Sequence, residues 1–191
     1  VCIEILDRND ELLDYACPFD GVRIWKPLSK IDKNLRLLVV MLEDDKFFEH
    51  GGLDLDELWN SLEHDIEKKK MARGGSTITQ QLAKNLFLTK EKSILRKATE
   101  LPLAIRLENE FSKDQILELY LNTIEWGHGI FGIEAAARLY FDHEAASLTT
   151  PETWMLALMI PNPKELNLWA TPKGEASLLK RAKHLSVRLA Q

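Results

Sequence analysis

No stretch of this chain approaches the ~20 consecutive apolar residues that a membrane-spanning helix needs. The opening Val1-Cys2-Ile3-Glu4 lacks the basic start and apolar run of a secretory leader. Both absences suit a soluble protein, and both suit a chain cut just after an anchor. Basic excess is lacking too: the net charge is −5, which argues against broad nucleic-acid binding. An anionic substrate would therefore need a local cluster of cations. Cysteine is scarce, with only Cys2 and Cys17; their spacing leaves a bridge and two free thiols equally open. Internal repeats and low-complexity linkers are missing. What is present, 45% hydrophobic and 29% charged residues over 191 positions, describes a globular chain with one sizeable core or two small lobes.

Helix signals dominate. Only the start reads as sheet, a small hairpin in which Ile3, Ile5 and Leu12, Leu13, Tyr15 flank Asp7-Arg8-Asn9-Asp10. Residues 35–48 form a strongly apolar helical segment with Glu43 and Asp44 inside it. A second helix is expected over 54–70, with Leu55, Leu58, Trp59, Leu62 and Ile66 on one stripe. Gly74-Gly75 breaks it, and Ser76 is placed to cap the next helix. A further helix covers 93–111, with a bend at Pro102. Ser112 and Gln115 make a capping box for the helix through Leu121. Gly127, Gly129 and Gly132 mark a turn before a helix over 133–141. Thr150-Pro151 starts the next helix and Pro161-Asn162-Pro163 ends it. An amphipathic helix is expected from Glu175 onward. The expected class is mainly α with a β appendage.

Three stretches could carry chemistry. Glu43 is set between Leu42 and the Phe47-Phe48 pair, and burial there disfavours the charged carboxylate, which suits general acid or base work. The plainer reading is a helix end whose acids pair with Lys46 and His50 at the surface. His50 has no second ligand at helical spacing and reads as a hydrogen-bonding helix-end residue rather than a metal ligand. In the second stretch Thr77, Gln80, Gln81 and Lys84 share one side of a helix, led in by a glycine pair whose free backbone donors suit phosphate oxygens. The third is a row, Lys92, Arg96 and Glu100, stepping by four residues. An ordinary salt-bridge ladder explains it as well as an anion site does. With Lys84 it would supply the missing cation cluster.

Taken together these stretches resemble a known family. Glu-Asp-x-x-Phe-x-x-His-x-Gly from Glu43, Gly-Gly-Ser-Thr-Ile-Thr-Gln-Gln-Leu-Ala-Lys-Asn from Gly74 and Arg-Lys-x-x-Glu from Arg96 occur in that order. Ile116-Leu117-Glu118-Leu119-Tyr120-Leu121-Asn122, Gly127-x-Gly129-Ile130-Phe131-Gly132-Ile133 and Ala135-Ala136-Ala137-x-x-Tyr140-Phe141 follow, as far as Pro161-Asn162-Pro163. This pattern resembles the peptidoglycan glycosyltransferases, glycosyltransferase family 51. Ile124-Glu125-Trp126-Gly127 is closer to the monofunctional biosynthetic transglycosylases than to the two-domain penicillin-binding proteins. Two departures are Lys92, where some relatives carry arginine, and Asn167-Leu168-Trp169, which lacks a proline often found there.

The resemblance implies a lysozyme-like helical large lobe and a smaller membrane-facing lobe around 54–90, within a glycosyltransferase domain over 25–191 that follows a β appendage over 1–24. It implies polymerisation of lipid II with Glu43 as general base and Glu100 as second acid. Lys84, Lys92, Arg96 and Lys97 would hold the pyrophosphate, while Ser76, Thr77, Gln80, Gln81 and Asn85 would line the sugar and phosphate path. The sequence requires no cofactor and shows no dedicated metal site, and family behaviour allows a divalent cation, Mg or Mn, on the pyrophosphate. Partners implied are lipid II, the growing glycan chain, the bacterial membrane surface and other cell-wall synthesis proteins, with no nucleic acid. The implied location is the periplasmic face of the cytoplasmic membrane, with an anchoring segment ahead of this chain. A lysozyme-like glycan-cleaving enzyme and a catalytically silent lipid II-binding scaffold stay open beside this reading.

Overall fold

The computed structural model describes residues 3–6, 12–16, 22–53, 76–87 and 94–163; for 3–6, 12–16, 22–23 and 94–98 it describes the backbone alone. The expected helices over 54–70 and from Glu175, both cysteines, and Lys68, Lys69 and Lys70 lie outside these residues.

The described chain is mainly α, as its periodicity foretells. Strands β1 (Ile3–Leu6) and β2 (Leu12–Ala16) pair antiparallel, with Glu4 opposite Tyr15 and a register irregularity between Ile5 and Leu6. Then come β3 (Val22–Arg23), α1 (Lys33–Glu43), α2 (Ile78–Phe87), α3 (Ile94–Glu110), α4 (Lys113–Thr123), β4 (Glu125–Gly127), β5 (Ile130–Phe131), α5 (Ile133–Phe141) and α6 (Thr150–Met159). The chain divides into two compact units, one made of 1–35 with 124–191 and the other of 36–123.

In the first unit, β5 runs parallel to β3 and antiparallel to β4, a small sheet that the sequence reading does not anticipate. Elements of two and three residues carry no period to read; pairing across the glycine turn creates them. Gly129 and Gly132 take φ of 73° and 84°, which side chains rarely adopt. Gly127 is needed for a different reason: a Cβ there would fall 2.0 Å from the Tyr140 hydroxyl, which donates to Trp126 O at 3.2 Å. Glu134 on α5 is wholly buried and takes in Lys26 at 3.1 Å, Arg138 Nε at 2.7 Å and the Ala145 amide at 2.8 Å. One buried carboxylate thus ties the entry to the unit, α5 and the loop after it. A buried charge persists only with such partners. Thr149 and Glu152 form a capping box at the start of α6.

The second unit packs α2 against both α3 and α4. Its core draws Leu38, Val39 and Val40 from α1, Ile78 and Leu82 from α2, Ala104 and Leu107 from α3, and Ile116, Leu117 and Leu121 from α4. Each large apolar side chain buried this way contributes about 1.5–3 kcal/mol. Ser112 and Gln115 make the expected capping box, with Gln115 Oε1 accepting from Ser112 N at 2.9 Å and Ser112 Oγ from Gln115 N at 3.4 Å.

Candidate active site

Helix α1 ends at Glu43 instead of continuing to Phe48 as its apolar run suggests. Asp44 N still reaches Val40 O, but Phe47 N turns back to Asp44 O and Glu49 N to Lys46 O. The reason lies in what Asp44 does. Its carboxylate accepts the Ile78 amide at 2.9 Å, a free donor at the start of α2, and lies 2.8 Å from His50 Nε2. Helix starts leave such amides without partners, and an acidic group satisfies both hydrogen bond and dipole. Burial raises the Asp44 carboxyl above its ordinary value, while the hydrogen bonds from His50 and Ile78 and the nearby Lys113 charge pull it back.

The loop from Asp44 to Gly52 is pinned along its length. Gly52 N donates to His50 Nδ1 at 3.1 Å, and Gly52 O accepts from Thr77 Oγ1 at 2.8 Å. Gly52 has φ of 87°, and a Cβ would meet Glu108 Cγ on α3 at 3.0 Å. Phe47 is fully buried, with Lys113 Nζ 4.4 Å above its ring. Lys113 in turn pairs with Glu108 at 2.8 Å, and Glu108 also accepts from the Thr79 hydroxyl.

The capping residue of α2 is Thr77 rather than the expected Ser76. Gln80 N donates to Thr77 Oγ1 and Thr77 N to Gln80 Oε1, both at 3.2 Å, a reciprocal box. Thr77 wins because its hydroxyl can also reach Gly52 O, which buries it.

One turn further, Gln81 reaches the end of α1. Its Nε2 donates to Glu43 Oε2 at 3.0 Å and to Ser76 O at 3.4 Å, and its Oε1 accepts from the Tyr120 hydroxyl at 2.9 Å. Glu43 is half-buried, whereas Tyr120 on α4 is wholly buried. Burial, with the Glu43 and Asp44 charges adding to it, raises the Tyr120 phenol well above its ordinary value. The result is a carboxylate at a helix end, partly open and held by an amide donor. Such a group can accept a proton from a hydroxyl brought to it.

The other candidates are placed less closely. Lys84 is half-buried on α2, Asn85 is exposed beyond it, and Glu100 is buried on α3. Arg96 and Lys97 belong to the first turn of α3, with side chains outside the described residues; Gly74, Gly75 and Lys92 lie wholly outside. Sequence reasoning gives no role to Tyr120 or Glu108. A hydroxyl in the otherwise apolar stripe Ile116, Leu117, Leu121 is the available signal for Tyr120, since a buried phenol needs a partner. Among the described residues no group of three or more His, Cys, Asp or Glu side chains could hold a metal ion. No helix among the described residues is long and apolar enough to cross a membrane.

Comparison with known proteins gives a consistent result. The sequence model of a family described as Transglycosylase matches residues 12–189. Three relatives each bear the name biosynthetic peptidoglycan transglycosylase. The one from Thiobacillus denitrificans is 47% identical over 140 residues, 73% of this chain and 60% of its own. The one from Janthinobacterium sp. (strain Marseille) is 46% identical over 157 residues, 82% of this chain and 67% of its own. The one from Aromatoleum aromaticum is 48% identical over 157 residues, 82% of this chain and 68% of its own. The chain thus spans about 60% to 68% of the length of these curated relatives.

Proposed function

The chain belongs to the transglycosylase family, and from that premise we propose that it polymerises lipid II into β-1,4-linked glycan. The observation that carries the reading is the half-buried Glu43 carboxylate at the end of α1, fixed by the Gln81 amide. Glu43 takes the proton from the 4-hydroxyl of the N-acetylglucosamine of an acceptor lipid II. The freed oxygen attacks the anomeric carbon of the N-acetylmuramic acid at the end of the growing strand. The bond to undecaprenyl pyrophosphate breaks as the glycosidic bond forms, with inversion at that carbon. Lys84, Lys92, Arg96 and Lys97 neutralise the charge that grows on the departing pyrophosphate, where preorganised cations act most strongly. Glu100 serves as the second acid at the donor site. Ser76, Gln81 and Asn85 line the sugar path, and Thr77 and Gln80 shape the helix start beside it.

The enzyme acts outside the cytoplasm, at the outer face of the membrane where the polyprenyl tail of its substrate resides. Trp59 and Leu62, on the helix expected over 54–70, together with Lys68, Lys69 and Lys70, provide the docking surface, and these cations favour anionic lipid. Other cell-wall synthesis proteins are its working partners.

Labelled lipid II in anionic vesicles tests the reading. Polymer is the expected product, and Glu43→Gln, which keeps shape but removes basicity, lowers its rate by about 10²-fold or more. Cleavage of preformed glycan, or binding without turnover, would replace the proposal with a hydrolase or a scaffold.

A further inference from the structure

We propose that Tyr120 is a positioning residue for the Glu43 carboxylate, acting through the Gln81 side chain. The inference rests on the reading of Glu43 as general base. It follows from which groups can donate. Glu43 Oε2 and Ser76 O are acceptors, and the two hydrogens of the Gln81 amide nitrogen point to them at 3.0 Å and 3.4 Å. The amide oxygen must then face the other way, towards Tyr120 at 2.9 Å. Of these three neighbours, only the phenol has a hydrogen to offer that oxygen. A flipped amide would set its oxygen against two acceptors and its nitrogen against the phenol.

The phenol is also held in the form that donates. Tyr120 is wholly buried on α4, and that burial, with the Glu43 and Asp44 charges, raises its pKa and so keeps it neutral at any pH where a carboxylate base works. A neutral donor on the oxygen polarises the amide and strengthens donation from its nitrogen. Three elements thereby set one carboxylate: α4 supplies the phenol, α2 the amide and α1 the acid. The hydroxyl has no packing value in the stripe of Ile116, Leu117 and Leu121; phenylalanine would fill the same space. Its use is the direction it gives Gln81.

Tyr120→Phe, Gln81→Ala, the double variant and Glu43→Gln are compared in the lipid II assay, with turnover expressed per folded molecule by circular dichroism. Tyr120→Phe is expected to lower kcat about 10-fold through loss of alignment, with KM changed by less than about twofold. The acidic limb of its pH–rate profile moves to higher pH, because the charged carboxylate has lost a strengthened donor. Tyr120→Phe adds nothing further in the Gln81→Ala background, since the route is already cut. Unchanged kcat and pH profile in Tyr120→Phe, with Glu43→Gln inactive, would overturn the inference alone and leave Tyr120 as packing. Additive losses in the double variant would overturn the route through Gln81. Retained turnover in Glu43→Gln would overturn the base, and the inference with it.

Discussion

Asp44 Oδ1 and His50 Nε2 lie 2.8 Å apart, and the hydrogen between them belongs to the histidine. The other ring nitrogen accepts from Gly52 N–H at 3.1 Å, so it carries no proton, and the ring is the neutral Nε2–H tautomer. The residue next to the proposed base is therefore a brace for the loop and for the start of α2.

Asp44→Asn should disturb that brace. The asparagine oxygen must stay on the Ile78 amide, which turns its NH2 towards His50 Nε2. Either two donors meet there, or the imidazole changes tautomer and Gly52 N–H loses its acceptor. A stranded donor costs about 1–3 kcal/mol, read as a lower urea midpoint with an unchanged slope. Imidazole nitrogen shifts should report a proton on Nδ1. Unaltered stability together with the wild-type tautomer would refute the assignment.

Stability near α6 should depend on acid. Burial pushes Glu152 upward, but the Thr149 amide, the His143 ring and the Thr149 hydroxyl outweigh it, so its carboxyl sits below the ordinary 4.5. A depressed carboxyl stabilises fully above its unfolded value and loses that stabilisation as pH falls through the folded one. Glu152→Gln should thus be less stable than wild type near pH 7, by about 1 kcal/mol for a weakened cap, and equal to it once Glu152 of the wild type is protonated in both its folded and unfolded states. Paired urea titrations at neutral pH and at about pH 2.5 check the sign; a gap that widens in acid would refute it.

Gly127→Ala should destabilise by about 1–3 kcal/mol, as overpacking does, because the added methyl meets the Tyr140 hydroxyl. Tyr140→Phe removes that oxygen, so the double variant should recover part of the lost melting temperature. If the second change deepens the loss instead, the collision is not the reason for glycine.

Lys84→Ala separates charge from packing. Lys84 is half-buried on α2, and loss of such a cation should move the melting temperature little, since comparable surface pairs contribute about 0–1 kcal/mol. Polymerisation should nevertheless fall sharply if the ammonium holds pyrophosphate. Normal turnover with early melting would assign it to the fold.

Much of the fold was legible because it is periodic. The β1–β2 hairpin, the Ser112 and Gln115 box, and α5 from Ile133 to Phe141 appear where patterning and capping residues place them. The failures have a common cause in distant partners. Helix α1 stops at Glu43 because Asp44 is drawn to Ile78, 34 residues away. Thr77 displaces Ser76 as cap because Gly52 O, 25 residues back, also needs its hydroxyl. The strands β3, β4 and β5 exist only through one another. Glu43 and Gln81 stand out in sequence as polar residues at awkward positions. Tyr120 does not, since a tyrosine on an apolar stripe looks like packing until its hydroxyl is seen to reach Gln81.

The way Gln81 is held also bears on where a captured proton can go. A carboxamide does not ionise, and its two hydrogens are already directed to Glu43 and Ser76. The phenol behind it keeps its own hydrogen. Gln81 is therefore an insulator as well as a clamp: it can aim the proposed base but cannot drain it. On the proposed reading of Glu43 as base, a proton that it gains has no exit along this path.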